Sequence, residues 1–162
     1  MRSCLFRYIA SAVHKPESAL VGHSAEWESW CLYHILVGMG YQVDTIDWKQ
    51  RVSITKQYGV VFDAINLTEL KLAFKSDTIK IVHLTGADNV WRNRQGEKRL
   101  VDMNTRRGCR LSYRRSIADP TAVYKSIEIA DYCTLIGNDW TRRTYPERYW
   151  DKIHLVNVTA SR

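Results

Sequence analysis

The stretch Ile79-Lys80-Ile81-Val82-His83-Leu84 (IKIVHL, residues 79–84) decides the architecture. Its branched aliphatic residues do not alternate with polar ones as they do in a half-exposed strand, and Thr85-Gly86 closes the run. Such a run suits a strand covered on both faces, which is how parallel sheets are built. YCTLIG at 132–137 repeats the pattern, and further β-rich runs fall at 5–13, 41–46, 59–62 and 153–158 with helical patterns between them. Strands that take turns with helices imply βαβ units. The expected fold class is therefore α/β: a Rossmann-like, open, mainly parallel sheet with helices on both faces.

The helix between the first two strands is the clearest. Ser24 can cap it, Glu26 and Glu28 sit in the first turn where the helix dipole favours negative charge, and Gly40 stands where a left-handed C-cap is wanted. Leu32, Ile35, Leu36 and Met39, with Trp27 and Cys31 beside them, recur at the spacing of one helical face and are expected to lie on the sheet. The crossover into YQVDTIDW, the second strand, should be right-handed. Downstream, 67–74 supports a short helix and 88–107 a long basic one ended by Gly108. Asp119-Pro120 opens a helix through Ile129, and Asn138 or Asp139 caps a last short one limited by Pro146.

At 162 residues the chain is expected to form one domain. No run approaches the roughly 18 apolar residues of a membrane span. Arg7 interrupts the first apolar run and no small-residue cleavage site follows it, so a cytoplasmic location is expected. Cys4, Cys31, Cys109 and Cys133 are scattered without a C-x-x-C pair, which points to reduced thiols rather than a metal site. The sequons at Asn66 and Asn157 read as chance matches. The net charge of +7 is concentrated: Arg92, Arg94, Lys98, Arg99, Arg106, Arg107, Arg110, Arg114 and Arg115 all fall within 92–115. Such a surface attracts nucleic acid, anionic lipid or phosphorylated small molecules, or is simply a solvated face.

Ligands of open parallel sheets bind beyond the carboxyl ends of the strands. The residues there are the long loop from His14 and Lys15 to His23, then Asp47 and Trp48, then 83–89, then 137–140. The dinucleotide fingerprint G-x-G-x-x-G is missing from the first strand-to-helix turn, which holds only Gly22; Gly38 and Gly40 come at the helix end. G-x-x-x-x-G-K-[ST], G-x-S-x-G and H-E-x-x-H are also missing, so no bound cofactor and no metal are expected. Trp91, Tyr113 and Tyr124 interleave with the basic residues without forming a nucleic-acid recognition motif.

Several blocks, in order, carry a family resemblance. They are LFRYIASAV with its long loop, HSAEWESWCLYHILVGMGYQVDTIDW, IKIVHLTG, and ADYCTLIGNDWTRRTY followed by KIHLVNV. Together they resemble the N-terminal domain of a GT-B glycosyltransferase of the large retaining family 4, over nearly the whole chain. The resemblance implies an acceptor-side Rossmann-like domain at 1–158, the start of an interdomain linker at 159–162, and a C-terminal donor-binding domain absent from this sequence. It implies transfer of a hexosyl unit from a nucleotide-sugar to an acceptor hydroxyl, with helix N-termini and basic side chains in place of a catalytic metal. The donor domain's E-x7-E pair is missing, since no two glutamates stand eight apart, so this domain alone is expected to be inactive.

The resemblance offers His83 as the catalytic candidate, a histidine that supports the transferred sugar. In the family it often stands two positions later, where this chain has Thr85. His83 is otherwise an inward-facing structural histidine. The substrate-binding candidates are His14, Lys15, His23, Thr85, Asp88, Asn89 and Asn138; Asp88 and Asn138 read equally as helix caps, and the loop histidines as solvated surface. Trp27 and Trp30 read as packing residues before sugar platforms. The basic 92–115 segment would serve an anionic acceptor or peripheral contact with the inner face of an anionic membrane. The alternatives are a non-catalytic α/β binding module or partner subunit, and a nucleic-acid-binding domain using 92–115.

Overall fold

The computed structural model describes residues 2–20, 24–50, 53–64, 66–112 and 121–156. Six strands form one parallel sheet: β1 (Arg2–Tyr8), β2 (Tyr41–Asp47), β3 (Tyr58–Asp63), β4 (Phe74–Leu84), β5 (Tyr132–Ile136) and β6 (Ile153–Val156). Their order is β2-β1-β3-β4-β5-β6, so the chain leaves β1 toward one edge and β3 toward the other. The expected open α/β class is what the chain adopts.

Register assigns the two faces, because paired residues of a parallel sheet point the same way. Phe6, Phe62 and Ile81 share one face. There the helix α1 (Ser24–Gly38) packs Leu32, Tyr33 and Leu36 on Phe6, Tyr8 and Phe62. Leu5 with Val61, and Val82 with Cys133 and Ile153, share the other. That face carries the larger core, closed by a 3-10 turn over Leu67–Ala73, by the helix α3 (Thr121–Ile129), and by Tyr145 and Tyr149. The remaining helices are α2 (Asn89–Arg107) and the short α4 (Asp139–Arg142).

Three local expectations are corrected. β1 ends at Tyr8, and residues 9–13 turn instead, with Ala12 N–H donating to the Ile9 carbonyl. Ala12 and Val13 are nonetheless buried, so their apolarity reflects packing and not strand pairing. Ile35 on α1 and Met39 just past its end are 58% and 59% exposed, while Glu28 and Ser29 are buried. Apolar and polar residues are not segregated around this helix, so hydrophobic spacing alone does not select its inner face; the partners of Glu28 on β1 and β4 do. The short helix expected over 67–74 forms as a 3-10 helix over Leu67–Ala73, but β4 starts earlier than Ile79, at Phe74. There Thr78 Oγ1 accepts from Lys75 N–H and donates to the Tyr58 carbonyl, bridging an irregularity in the β3–β4 register.

The helix ends follow the residues that mark them. Asp88 caps α2, and Gly108 closes it at φ 61°, a left-handed conformation that glycine takes without a Cβ penalty. Asn138, rather than Asp139, caps α4 through a reciprocal box with Thr141. The Asp119-Pro120 start signal and residues 157–158 lie outside the described residues.

Candidate functional site

Beyond the carboxyl ends of β3 and β4, next to the point where strand order reverses, lies a cleft of about 170 Å³. Ala64, Thr85, Gly86, Asn89, Arg92 and Tyr145 are among its walls. The chain leaves β4 at Leu84 and turns through 85–87 into α2, with Asp88 at the junction. Asp88 Oδ1 accepts from Trp91 N–H at 3.0 Å, while Asp88 N–H donates to Thr144 Oγ1 at 2.9 Å. Tyr145 O–H donates to the Gly86 carbonyl at 2.8 Å. The loop is thereby braced from outside by the segment that follows α4. Burial first, and then the Asp88 carboxylate, push the Tyr124 hydroxyl up to about 12, so it stays protonated beside that cap.

The chemistry of the cleft is that of a donor-rich rim. Asn89 and Arg92 stand in the first turn of α2, where the helix dipole is positive, and the exposed Thr85 lines the same cleft. Ser126 contributes to the wall but is already engaged, accepting from Leu67 N–H and donating to the Ala122 carbonyl. The rim can hold hydroxyls or an anionic oxygen. Its volume falls below the roughly 300–1,000 Å³ of pockets that enclose a whole ligand. It is an open depression and not an enclosure. Among the described residues no group of three or more His, Cys, Asp or Glu side chains could hold a metal ion.

Two buried polar clusters lie close behind. On the α1 face, the Glu28 carboxylate accepts from Tyr8 O–H at 2.9 Å and from His83 Nε2 at 2.9 Å, while His83 Nδ1 stands 2.7 Å from Thr134 Oγ1. Burial, then the charge of Glu28, raise the Tyr8 hydroxyl far above its usual range, which keeps it a donor. On the other face, Arg7 donates twice to Asp63, from Nε at 2.7 Å and Nη2 at 3.0 Å, and also to Glu69 and the Asn66 carbonyl. Burial alone would lower the Arg7 pKa, but these carboxylates outweigh it and raise it. The guanidinium thus ties β1, β3 and the 3-10 turn together beneath the reversal of strand order.

The sequence candidates divide accordingly. Thr85 and Asn89 line the cleft, and the strand around His83 contributes to it. The His83 ring is buried at 1% exposure with both nitrogens engaged, and its partners Glu28 and Tyr8 belong to the α1 face. Asp88 is a buried cap beside the cleft, and Asn138 caps α4 at the end of β5. His14 and Lys15 run down the flank of α1: the His14 ring packs on Tyr33, Lys15 pairs with Glu26, and Trp30 Nε1 donates to the Lys15 carbonyl. His23 lies outside the described residues.

Arg92 and Tyr145 were not singled out by the sequence as site residues, nor was the Glu28–His83 link. The interruptions of otherwise apolar elements, Arg7 in β1 and Glu28 in α1, were the available signal. No family model, curated protein or solved structure matches the chain, and what the site can do rests on its own geometry.

Proposed function

We propose that the chain is the acceptor-side domain of a GT-B-like glycosyltransferase, transferring a hexosyl unit from a nucleotide-sugar to an acceptor hydroxyl. One observation carries the proposal: the cleft at the carboxyl ends of β3 and β4 is a single open wall, furnished with Thr85, Asn89, Arg92 and the start of α2. An open wall with hydroxyl- and anion-binding groups fits a crevice whose opposite side belongs to a donor-binding domain, in this protein or in a partner chain. Arg92 and the α2 N-terminus would face the charged part of the substrates, and Thr85 and Asn89 the hydroxyls. His83 acts here as a positioning residue, holding α1 against β4 and β5 through Glu28 and Thr134.

A non-catalytic binding module is the alternative, favoured by one specific feature: Glu28 and His83, an acid and a base close to the cleft, are spent on each other. The test is an amide-resolved NMR titration of the chain with hexose 1-phosphates and with short oligosaccharides. Shifts centred on Thr85, Gly86, Asn89 and Arg92, weakened at least tenfold in Arg92→Ala, are the expected result. Shifts that map elsewhere, or none at millimolar sugar, would remove the carbohydrate reading. Transfer of label from a nucleotide-sugar once a donor domain is joined would then decide for the enzyme over the module.

A further inference from the structure

Among the nineteen residues of α2, only Gly96 is buried. Asn93, Leu100, Met103 and Asn104 are half-buried and mark the inner side. On the opposite side, helical spacing aligns Val90, Trp91, Arg94, Lys98, Val101 and Thr105. Val90, Trp91 and Val101 are 44%, 43% and 62% exposed. Three large apolar side chains thus stand in water with two cations between them. The helix carries six cations, Arg92, Arg94, Lys98, Arg99, Arg106 and Arg107, against two carboxylates, Glu97 and Asp102. None of the six makes an ion pair among the described residues.

From this pattern we infer that the outer face of α2 docks on an anionic lipid surface. A helix lying in the headgroup region sinks its apolar side chains toward the acyl boundary while its Lys and Arg reach the phosphates. Tryptophan favours that boundary because its ring is apolar and its N–H polar. Positive charge on the helix is complementary to an anionic leaflet. Nucleic acid would also meet the cations, but it offers no place to bury Val90 and Val101, whereas a bilayer does. No helix among the described residues is long and apolar enough to cross a membrane, so α2 lies on the surface. At about 28 Å it gives the contact length as well as charge.

The inference stands on the helix surface and does not need the glycosyltransferase reading, because vesicle binding involves no sugar. The test is co-sedimentation of the full chain with vesicles of phosphatidylcholine alone and of phosphatidylcholine with 30% phosphatidylglycerol (about 30 mol %). Anionic vesicles should bind at least tenfold more tightly at low salt. Arg94→Glu with Lys98→Glu should abolish that preference, and Trp91→Ala should weaken binding several-fold at every salt concentration. All three positions are exposed or lie on the exposed face, and circular dichroism will confirm that the variants fold. Equal binding to neutral and anionic vesicles, no binding, or indifference to the charge reversals would overturn the inference. Tighter binding to a DNA or RNA oligonucleotide than to anionic vesicles would overturn it in favour of nucleic acid.

Discussion

Arg7 brings a full positive charge into the interior, 2% exposed, beside an Asp63 that is 1% exposed. Such a pair is costly to desolvate and costlier to break, because removing one partner strands the other charge. Arg7→Met should therefore lower unfolding free energy by about 3–5 kcal/mol, read from urea midpoints. Arg7→Met combined with Asp63→Leu should recover much of that loss. A double variant no more stable than the single one would mean that the stranded carboxylate is not the cause. Residues of this kind were half legible in advance. Arg7 visibly interrupts an apolar strand, but that its partner is Asp63 depends on β1 and β3 being neighbours, which no local pattern states. His83 was open between two roles for the same reason: its surroundings come from Glu28 and Thr134, 55 and 51 residues away.

Among the elements, the β5–α4 corner and the end of α1 give opposite expectations for the same substitution. Gly137 has φ 140°, and a Cβ there would stand 2.5 Å from Thr141 Oγ1, inside the capping box of α4. Gly137→Ala should cost about 1–3 kcal/mol. At Gly38, on the last turn of α1, a Cβ meets nothing within 4 Å. Gly38→Ala should be neutral or stabilise by up to about 1 kcal/mol, and equal effects at the two sites would refute the steric argument. The edge strand β2 carries a pH-dependent contact. Hydrogen bonding from Lys56, opposed by burial and aided by Tyr58, holds the Asp44 carboxyl below its usual range. Its folded pKa lies below the unfolded one, so this contribution is present above about pH 4 and is lost as pH falls through the folded value. Asp44→Asn should thus show a shallower loss of stability in acid than the parent chain, in urea midpoints followed from pH 6 down to pH 3 (roughly). Element types were readable from composition and caps, and α2 and α4 begin where Asp88 and Asn138 said. The inner face of α1 was half readable: Leu32 and Leu36 pack on the sheet as their spacing implies, but Glu28 and Ser29 are buried as well while Ile35 is exposed.

For the molecule as a whole, the sheet class followed from runs such as IKIVHL, but the strand order did not. Thr85 and Asn89 could be placed at the site because a strand end is a local feature. Tyr145 could not, since it reaches Gly86 across 59 residues only because β4 and β5 pair. Cover over the sheet is uneven. Among the described residues the apolar cluster beneath α1 reaches no further than Ile81 on β4, while α3, the 3-10 helix and two tyrosines close the other face. Hydrogen exchange should follow this gradient, with β1 and β3 amides slowest and α2 exchanging well before them. Slow exchange along α2 would contradict its thin burial. The Arg7–Asp63 link also has a consequence for the order of synthesis. β1 leaves the ribosome before β3, yet its guanidinium finds its carboxylate only after 56 more residues have been made. Until then β1 cannot be sealed into a dry interior, so a nascent chain halted short of Asp63 keeps that strand wet and its neighbours unsettled.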